Sequence, residues 1–261
     1  MLTRNYLFVC GCPRSGTTAL MRLLNAHSGI VLGVERYKKY AKKENLKYLT
    51  KDVFESEYFF DIKPQQTNLN SSHKAWEREW KKLYQDMEPK FNQSTLLVGD
   101  KYPHYFLFYK EINKKFDHPK WIFMIRDVYQ VALSYNARAS NSKDKWSKER
   151  NYTAAVFDWN DSIRRTWDFL ELGAKNIFLC EYSKIFSYDV KYLEAMLDFL
   201  EVGSDRRIED FYGKMTKDWK TRLSKRKTLE SEQEEYVRRN SDWATYDTLM
   251  QKYGLLEVAS E

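Results

Sequence analysis

Residues Gly11-Cys12-Pro13-Arg14-Ser15-Gly16-Thr17-Thr18 place two glycines five apart and a pair of threonines directly after the second. In this spacing successive backbone N–H groups turn into one concavity at the mouth of a helix, where the positive end of the macrodipole favours an anion. A nucleotide triphosphatase would carry lysine directly after the second glycine, and Thr17 stands there instead. The cation has moved into the loop as Arg14, whose planar fork of donors matches an oxyanion. With the hydroxyls of Thr17 and Thr18 it makes a grip for a phosphate-like group that needs no metal. A tight strand-to-helix turn with a cap is the purely structural alternative. A second cation, Arg126, closes the apolar run Trp121-Ile122-Phe123-Met124-Ile125, and Ser134 follows eight residues later. An arginine at the carboxyl end of a strand lies on the edge where open α/β sheets bind ligands, which implies a second anion site beside the first. An ion pair of Arg126 with Asp127 is the simpler alternative.

The elements that must position these groups follow from hydrophobic period. Short continuous apolar runs at 6–11, 30–33, 96–99, 121–125 and 177–180 have the pattern of strands buried on both faces. Between and after them the period changes: Leu20, Leu23, Leu24 and His27, then Val156, Trp159, Ile163, Trp167 and Leu170 before Gly173, then Val190, Leu193, Leu197 and Leu200 before Gly203. Strands alternating with helices predict an α/β fold, a P-loop-like parallel sheet of about five strands with helices on both faces, spanning 1–261 as a single domain. The insertions 38–47, 61–74 and 136–151 are polar and suit loops around a cleft or plain surface. A last helix is expected over 231–253, carrying Tyr236, Trp243, Tyr246 and Met250.

Composition narrows the ligand. A chain of 261 residues with 16% aromatics can bury a substantial core, which excludes a disordered tail. The net charge of +7 favours capture of anions, but lysines lie among nearly as many carboxylates, so a focused pocket is expected rather than a nucleic-acid face. Cys10, Cys12 and Cys180 are too few and odd in number for a disulfide framework and sit in apolar runs, so they read as reduced, packed thiols. No Cys/His set completes a zinc site, and no metal is expected. The first apolar run is six residues long, too short for a signal peptide core or a membrane span; a cytoplasmic chain without membrane contact is the expectation.

With both anion segments in view, the chain resembles the sulfotransferases that use 3′-phosphoadenosine 5′-phosphosulfate. Pro13, Arg14, Ser15, Gly16, Thr17 and Thr18 look like their 5′-phosphosulfate loop, and Arg126 with Ser134 has the spacing of their 3′-phosphate site. The likeness is closest to the protein-tyrosine sulfotransferase branch over residues 9–35, where Arg138 also fits a nucleotide-contacting arginine. In that branch the catalytic carboxylate corresponds to Glu35; an ion pair with Arg36 or nearby lysines is the alternative reading. Gly99-Asp100-Lys101-Tyr102-Pro103 resembles the Lys-x-Pro element of many carbohydrate and bacterial members, and Glu181-Tyr182 their Tyr-Glu region, which points to Tyr182 as a nucleotide contact. The resemblance implies sulfuryl transfer to a hydroxyl acceptor, a peptide tyrosine, a carbohydrate or a small molecule, with adenosine 3′,5′-bisphosphate as by-product. Lys101 would add a second cation, and His104 is the alternative base. The chain departs from the cytosolic branch at Ala19, where tryptophan often stacks on adenine, and Tyr182, Arg138 or the stretch 214–227 is expected to grip the base instead. The rival readings are a magnesium-dependent P-loop nucleotide kinase with Asp100 as its metal-binding acid, and a nucleotide-binding protein without catalysis.

Overall fold

The computed structural model describes residues 4–69, 79–223 and 228–254, leaving aside the side chains of 218–223. Five strands, β1 (Asn5–Gly11), β2 (Ile30–Val34), β3 (Leu97–Lys101), β4 (Lys120–Ile125) and β5 (Ile177–Glu181), form one parallel sheet in the order β2-β3-β1-β4-β5. Each apolar run became a strand because both faces are covered: Leu7, Phe8, Val9 and Cys10 of the central β1 have no exposed surface. Phe8 packs edge-on against Phe54, Tyr105 and Phe116 and tilts against Trp121, an aromatic cluster on one side of the sheet.

Helices flank the sheet. In chain order they are α1 (Thr17–Ala26), α2 (Ser56–Phe59), α3 (Lys81–Ser94), α4 (Tyr109–Lys115), α5 (Val128–Ala139), α6 (Tyr152–Glu171), α7 (Tyr182–Phe186), α8 (Val190–Phe199), α9 (Arg206–Leu223), α10 (Ser231–Asn240) and α11 (Trp243–Tyr253). Connections from β1 lead first to β2 and β3 on one side, then to β4 and β5 on the other. The loop after β1 therefore stands where the winding changes side, the crevice in which open sheets bind ligands.

Three expectations change. The single helix expected over 231–253 is two: the chain extends at Ser241, and the Asp242 side chain accepts from Thr245 N at 3.2 Å to start α11 afresh. Cys12 lies just beyond β1 in the loop, buried like Cys10 and Cys180, and all three thiols are free. The helix α3 has no counterpart in the sequence reading, because Pro89 interrupts its pattern of donors from within.

Candidate active site

At the glycine-rich loop, Gly16 is the residue before α1 and, among the described residues, no side chain caps the helix, which leaves its first amides open toward the crevice. Gly16 has φ 97°, and a Cβ there would stand 2.7 Å from the Tyr182 ring; only glycine lets the loop lie on that ring. Arg14, also left-handed at φ 71°, opens into the crevice and donates from Nε to Ser134 Oγ at 3.1 Å. Arg126 reaches back from the end of β4, donating from Nη1 to the Arg14 carbonyl at 2.8 Å, with its guanidinium 4.2 Å above the Tyr182 ring. The two arginines belong to one site. Desolvation, followed by the like charge of Arg138, lowers the Arg14 pKa.

Across the crevice β2 and β3 supply the second half. Register pairs Gly33 with Asp100 and Val34 with Lys101, so Glu35, just past β2, meets the end of β3. The Glu35 carboxylate takes Lys101 Nζ at 3.3 Å and Lys38 Nζ at 3.0 Å, while its side chain stays 26% exposed to the cleft. Burial opposes its ionisation, but the two ammonium groups prevail and hold the carboxyl below its usual range. His104 faces the same cleft; burial lowers its pKa, so the imidazole is neutral near pH 7, and its Nδ1 is buried with no hydrogen-bond partner among the described residues.

Pro13, Arg14, Gly16, Thr17, Thr18, Glu35, Lys101, His104, Arg126, Arg138 and Tyr182 all line one cleft of about 1050 Å³. Ser15 is fully buried beneath the loop and does not line it. Ser134 opens into a neighbouring cavity of about 920 Å³ that shares Arg126, and its bond runs to Arg14 rather than Arg126. Asp127 caps α5 by accepting from Gln130 N at 3.0 Å. Of Glu181-Tyr182, the tyrosine faces the cleft, and Glu181 pairs with Lys184 at 3.0 Å. The ion pair read as the alternative for Glu35 forms with Lys38 and not with Arg36, whose guanidinium binds backbone carbonyls instead, while sequence reasoning missed Trp146 and Arg150. Trp146 is sandwiched between the guanidiniums of Arg138 at 4.6 Å and Arg150 at 4.7 Å, and Arg138 is further held by Asp144 at 2.6 Å. The signal available was local, a lone tryptophan among seven charged residues within the polar insertion 136–151. Of the stretch 214–227, Lys214 lines the cleft, whereas the side chains of 218–223 and all of 224–227 lie outside the described residues.

The sulfotransferase family model matches residues 7–206, which takes in β1 from Leu7 onward, the other four strands whole, and every residue named as lining the cleft except Lys214. The chain belongs to the sulfotransferase family. No curated protein matches it in overall sequence. Among solved structures, the sulfotransferase domain from the curacin biosynthetic pathway aligns with a TM-score of 0.50 at 20% identity, covering 80% of this chain and 77% of that one. Sulfotransferase STF1 of Mycobacterium tuberculosis H37Rv aligns with a TM-score of 0.50 at 13% identity, covering 80% and 71%. At such identities the structures speak for the shared fold, and the family match for sulfuryl transfer. In this sulfotransferase Asp100 points into the protein, fully buried, which removes the acid that the kinase reading had placed on a metal. Among the described residues no helix is long and apolar enough to cross a membrane.

Proposed function

We propose that this sulfotransferase, acting as one domain over 1–261, moves a sulfuryl group from 3′-phosphoadenosine 5′-phosphosulfate to a hydroxyl acceptor by in-line displacement. The observation that carries the reading is the bond from Arg126 to the Arg14 carbonyl, which ties the strand-end cation to the phosphate loop at a distance one doubly anionic nucleotide can bridge. The donor set fits: uncapped helix amides, two threonine hydroxyls and the guanidiniums of Arg14, Arg126 and Arg138 all converge without calling on a metal. The bound donor supplies an activated sulfonate whose leaving group is a phosphate. Arg14, the loop amides, Thr17 and Thr18 stabilise the charge that gathers there, each well-placed donor contributing about 3 kcal/mol to the lowered barrier. Ser15 supports the loop from below, Ser134 orients Arg14, and Tyr182 forms the floor under Gly16 and Arg126. Lys101 neutralises the transferring group. Glu35 takes the acceptor proton, with His104 as the alternative base in the same cleft.

The acceptor is a phenolic, sugar or other small hydroxyl compound or a peptide tyrosine, and neither nucleic acid nor a membrane is part of the reaction. The three free, buried thiols suit a reducing compartment, and a cytoplasmic location belongs to the proposal. Thermal unfolding with ligands tests the donor. At 100 times its dissociation constant adenosine 3′,5′-bisphosphate adds about 2.7 kcal/mol to the folded state. The expected result is a clear rise in Tm with that nucleotide, no effect of magnesium, and little rise with ATP or with adenosine monophosphate lacking the 3′ group. A larger, magnesium-dependent rise with ATP would restore the kinase reading. Binding without sulfate transfer from labelled donor to any acceptor or to water would leave a nucleotide-binding protein.

A further inference from the structure

We infer that Asp100 is a positioning residue that fixes the catalytic carboxylate of Glu35 by holding the backbone on its carboxyl side. The inference rests on the proposal that Glu35 accepts the proton.

Asp100 has no exposed surface and does not line the cleft. Its Oδ1 accepts from Arg36 N at 2.9 Å, and its Oδ2 accepts from Tyr37 N at 3.1 Å and from the Tyr105 hydroxyl at 2.6 Å. Two of these three donors are the amides that directly follow Glu35. Glu35 itself has φ 48°, a left-handed backbone that a residue with a Cβ keeps only when its surroundings impose it. Its flanks are fixed too: Glu35 N donates to Lys101 O at 2.7 Å, and Thr67 Oγ1 donates to Glu35 O at 2.8 Å. Gly33 leaves the room for this arrangement, because a Cβ there would stand 2.9 Å from Asp100 Oδ1.

The partner expected for Asp100 by charge is not its partner. The Arg36 guanidinium turns away and donates to the carbonyls of Phe59, Tyr58 and Asp61 and to Gln66 Oε1. Burial pushes the Asp100 carboxyl up to about 6, with Tyr105 and the two amides pulling against it. A buried carboxylate that answers backbone amides, with no cation taking it up through Arg36, is placed to shape a turn. Strand alternation completes the device. Asp100 faces inward to the turn while Lys101, the next residue, meets the carboxylate that the turn presents.

The test is a mutant cycle read as sulfate transfer from labelled 3′-phosphoadenosine 5′-phosphosulfate to 4-nitrophenol, a tyrosyl peptide or a hexose, whichever the wild type labels fastest, with water as the last resort. Asp100→Asn keeps the shape but sets an amide N–H against a backbone N–H. The expected result is a fall in kcat of about 10²-fold, the scale of a reacting group displaced by about 1 Å, with affinity for adenosine 3′,5′-bisphosphate within twofold of wild type. In a Glu35→Gln background the same substitution causes no further fall, since there is no carboxylate left to position. An unchanged kcat in Asp100→Asn, or an equal fall in both backgrounds, overturns the inference. Full turnover in Glu35→Gln alone instead overturns the assignment of Glu35. Should Asp100→Asn fail to fold, Tyr105→Phe removes one donor and leaves the carboxylate. A smaller fall that vanishes beside Glu35→Gln supports the inference, and undiminished turnover defeats it.

Discussion

In the proposed mechanism Arg126 and Glu35 divide the work of the cleft, and substitutions at the two are expected to separate cleanly. Arg126 bonds the Arg14 carbonyl and stacks over Tyr182, so its guanidinium both lines the cleft and braces the loop. Arg126→Ala should raise the Kd for adenosine 3′,5′-bisphosphate about 10- to 100-fold, the loss of a charged hydrogen bond worth roughly 1.5–3 kcal/mol, as isothermal titration would show. Glu35→Gln should leave that Kd unchanged and lower kcat about 10²- to 10⁴-fold, the usual contribution of a general base. Because Lys101 and Lys38 hold the carboxyl below its usual range, Glu35 is ionised throughout the neutral range, and its own protonation does not limit turnover there. The sequence presented Arg14, Arg126 and Glu35 openly, as charged residues at the ends of apolar runs. An ion pair of Glu35 with a neighbouring lysine was legible too, and Lys38 makes it; that Trp146 would meet the guanidiniums of both Arg138 and Arg150 was not, since those contacts depend on how the polar insertion folds over the cleft.

Among the elements, strand-loop-helix from β1 through α1 was legible because its signals are local: a both-face apolar run, two glycines, then a 3.6-residue period. The last segment was misread because its apolar spacing continues across Asn240-Ser241-Asp242 while its backbone does not. Another junction yields a prediction. Asp205 accepts from the Arg207 and Ile208 amides at the head of α9 and from Ser28 N at 2.7 Å, joining α9 to the turn after α1. Burial opposes ionisation, but these amides and the nearby His27 outweigh it and hold the carboxyl at about 2, below the ordinary 3.8. A depressed folded-state pKa means stability that is present above pH 3.8 and lost as pH falls through about 2, worth about 2 kcal/mol. Asp205→Asn should therefore lower the unfolding free energy by about that amount between pH 5 and 7 and change little near pH 2, as urea titrations at each pH would reveal.

For the whole molecule, the sheet is the scaffold that brings five loops to one rim, and its aromatic packing sets how much disturbance it tolerates. Phe8 lies in the middle strand with no exposed surface and touches four other rings. Phe8→Ala should cost about 3–5 kcal/mol, a large share of the 5–15 kcal/mol typical of a folded domain. The expected outcome in thermal melts is a much lowered Tm that adenosine 3′,5′-bisphosphate partly restores, because the ligand binds only the folded chain.

The sequence by itself determined the strand count, the glycine-rich turn between β1 and α1 and the two cations that lie beside it, because hydrophobic period and glycine placement act over a few neighbouring residues. Tertiary structure alone decided which acid faces the cleft and which is buried. In the sequence the resemblance marks Glu35 as the base and the kinase reading marks Asp100 as a metal-binding acid, each at the end of an apolar run beside a basic residue. The parallel register that pairs Gly33 with Asp100 and Val34 with Lys101 turns one carboxylate inward onto backbone amides and leaves the other in the cleft. Side chains alternate along a strand, so a shift of one residue in that pairing would set Lys101 where Asp100 stands, and no local pattern encodes the pairing of segments more than sixty residues apart.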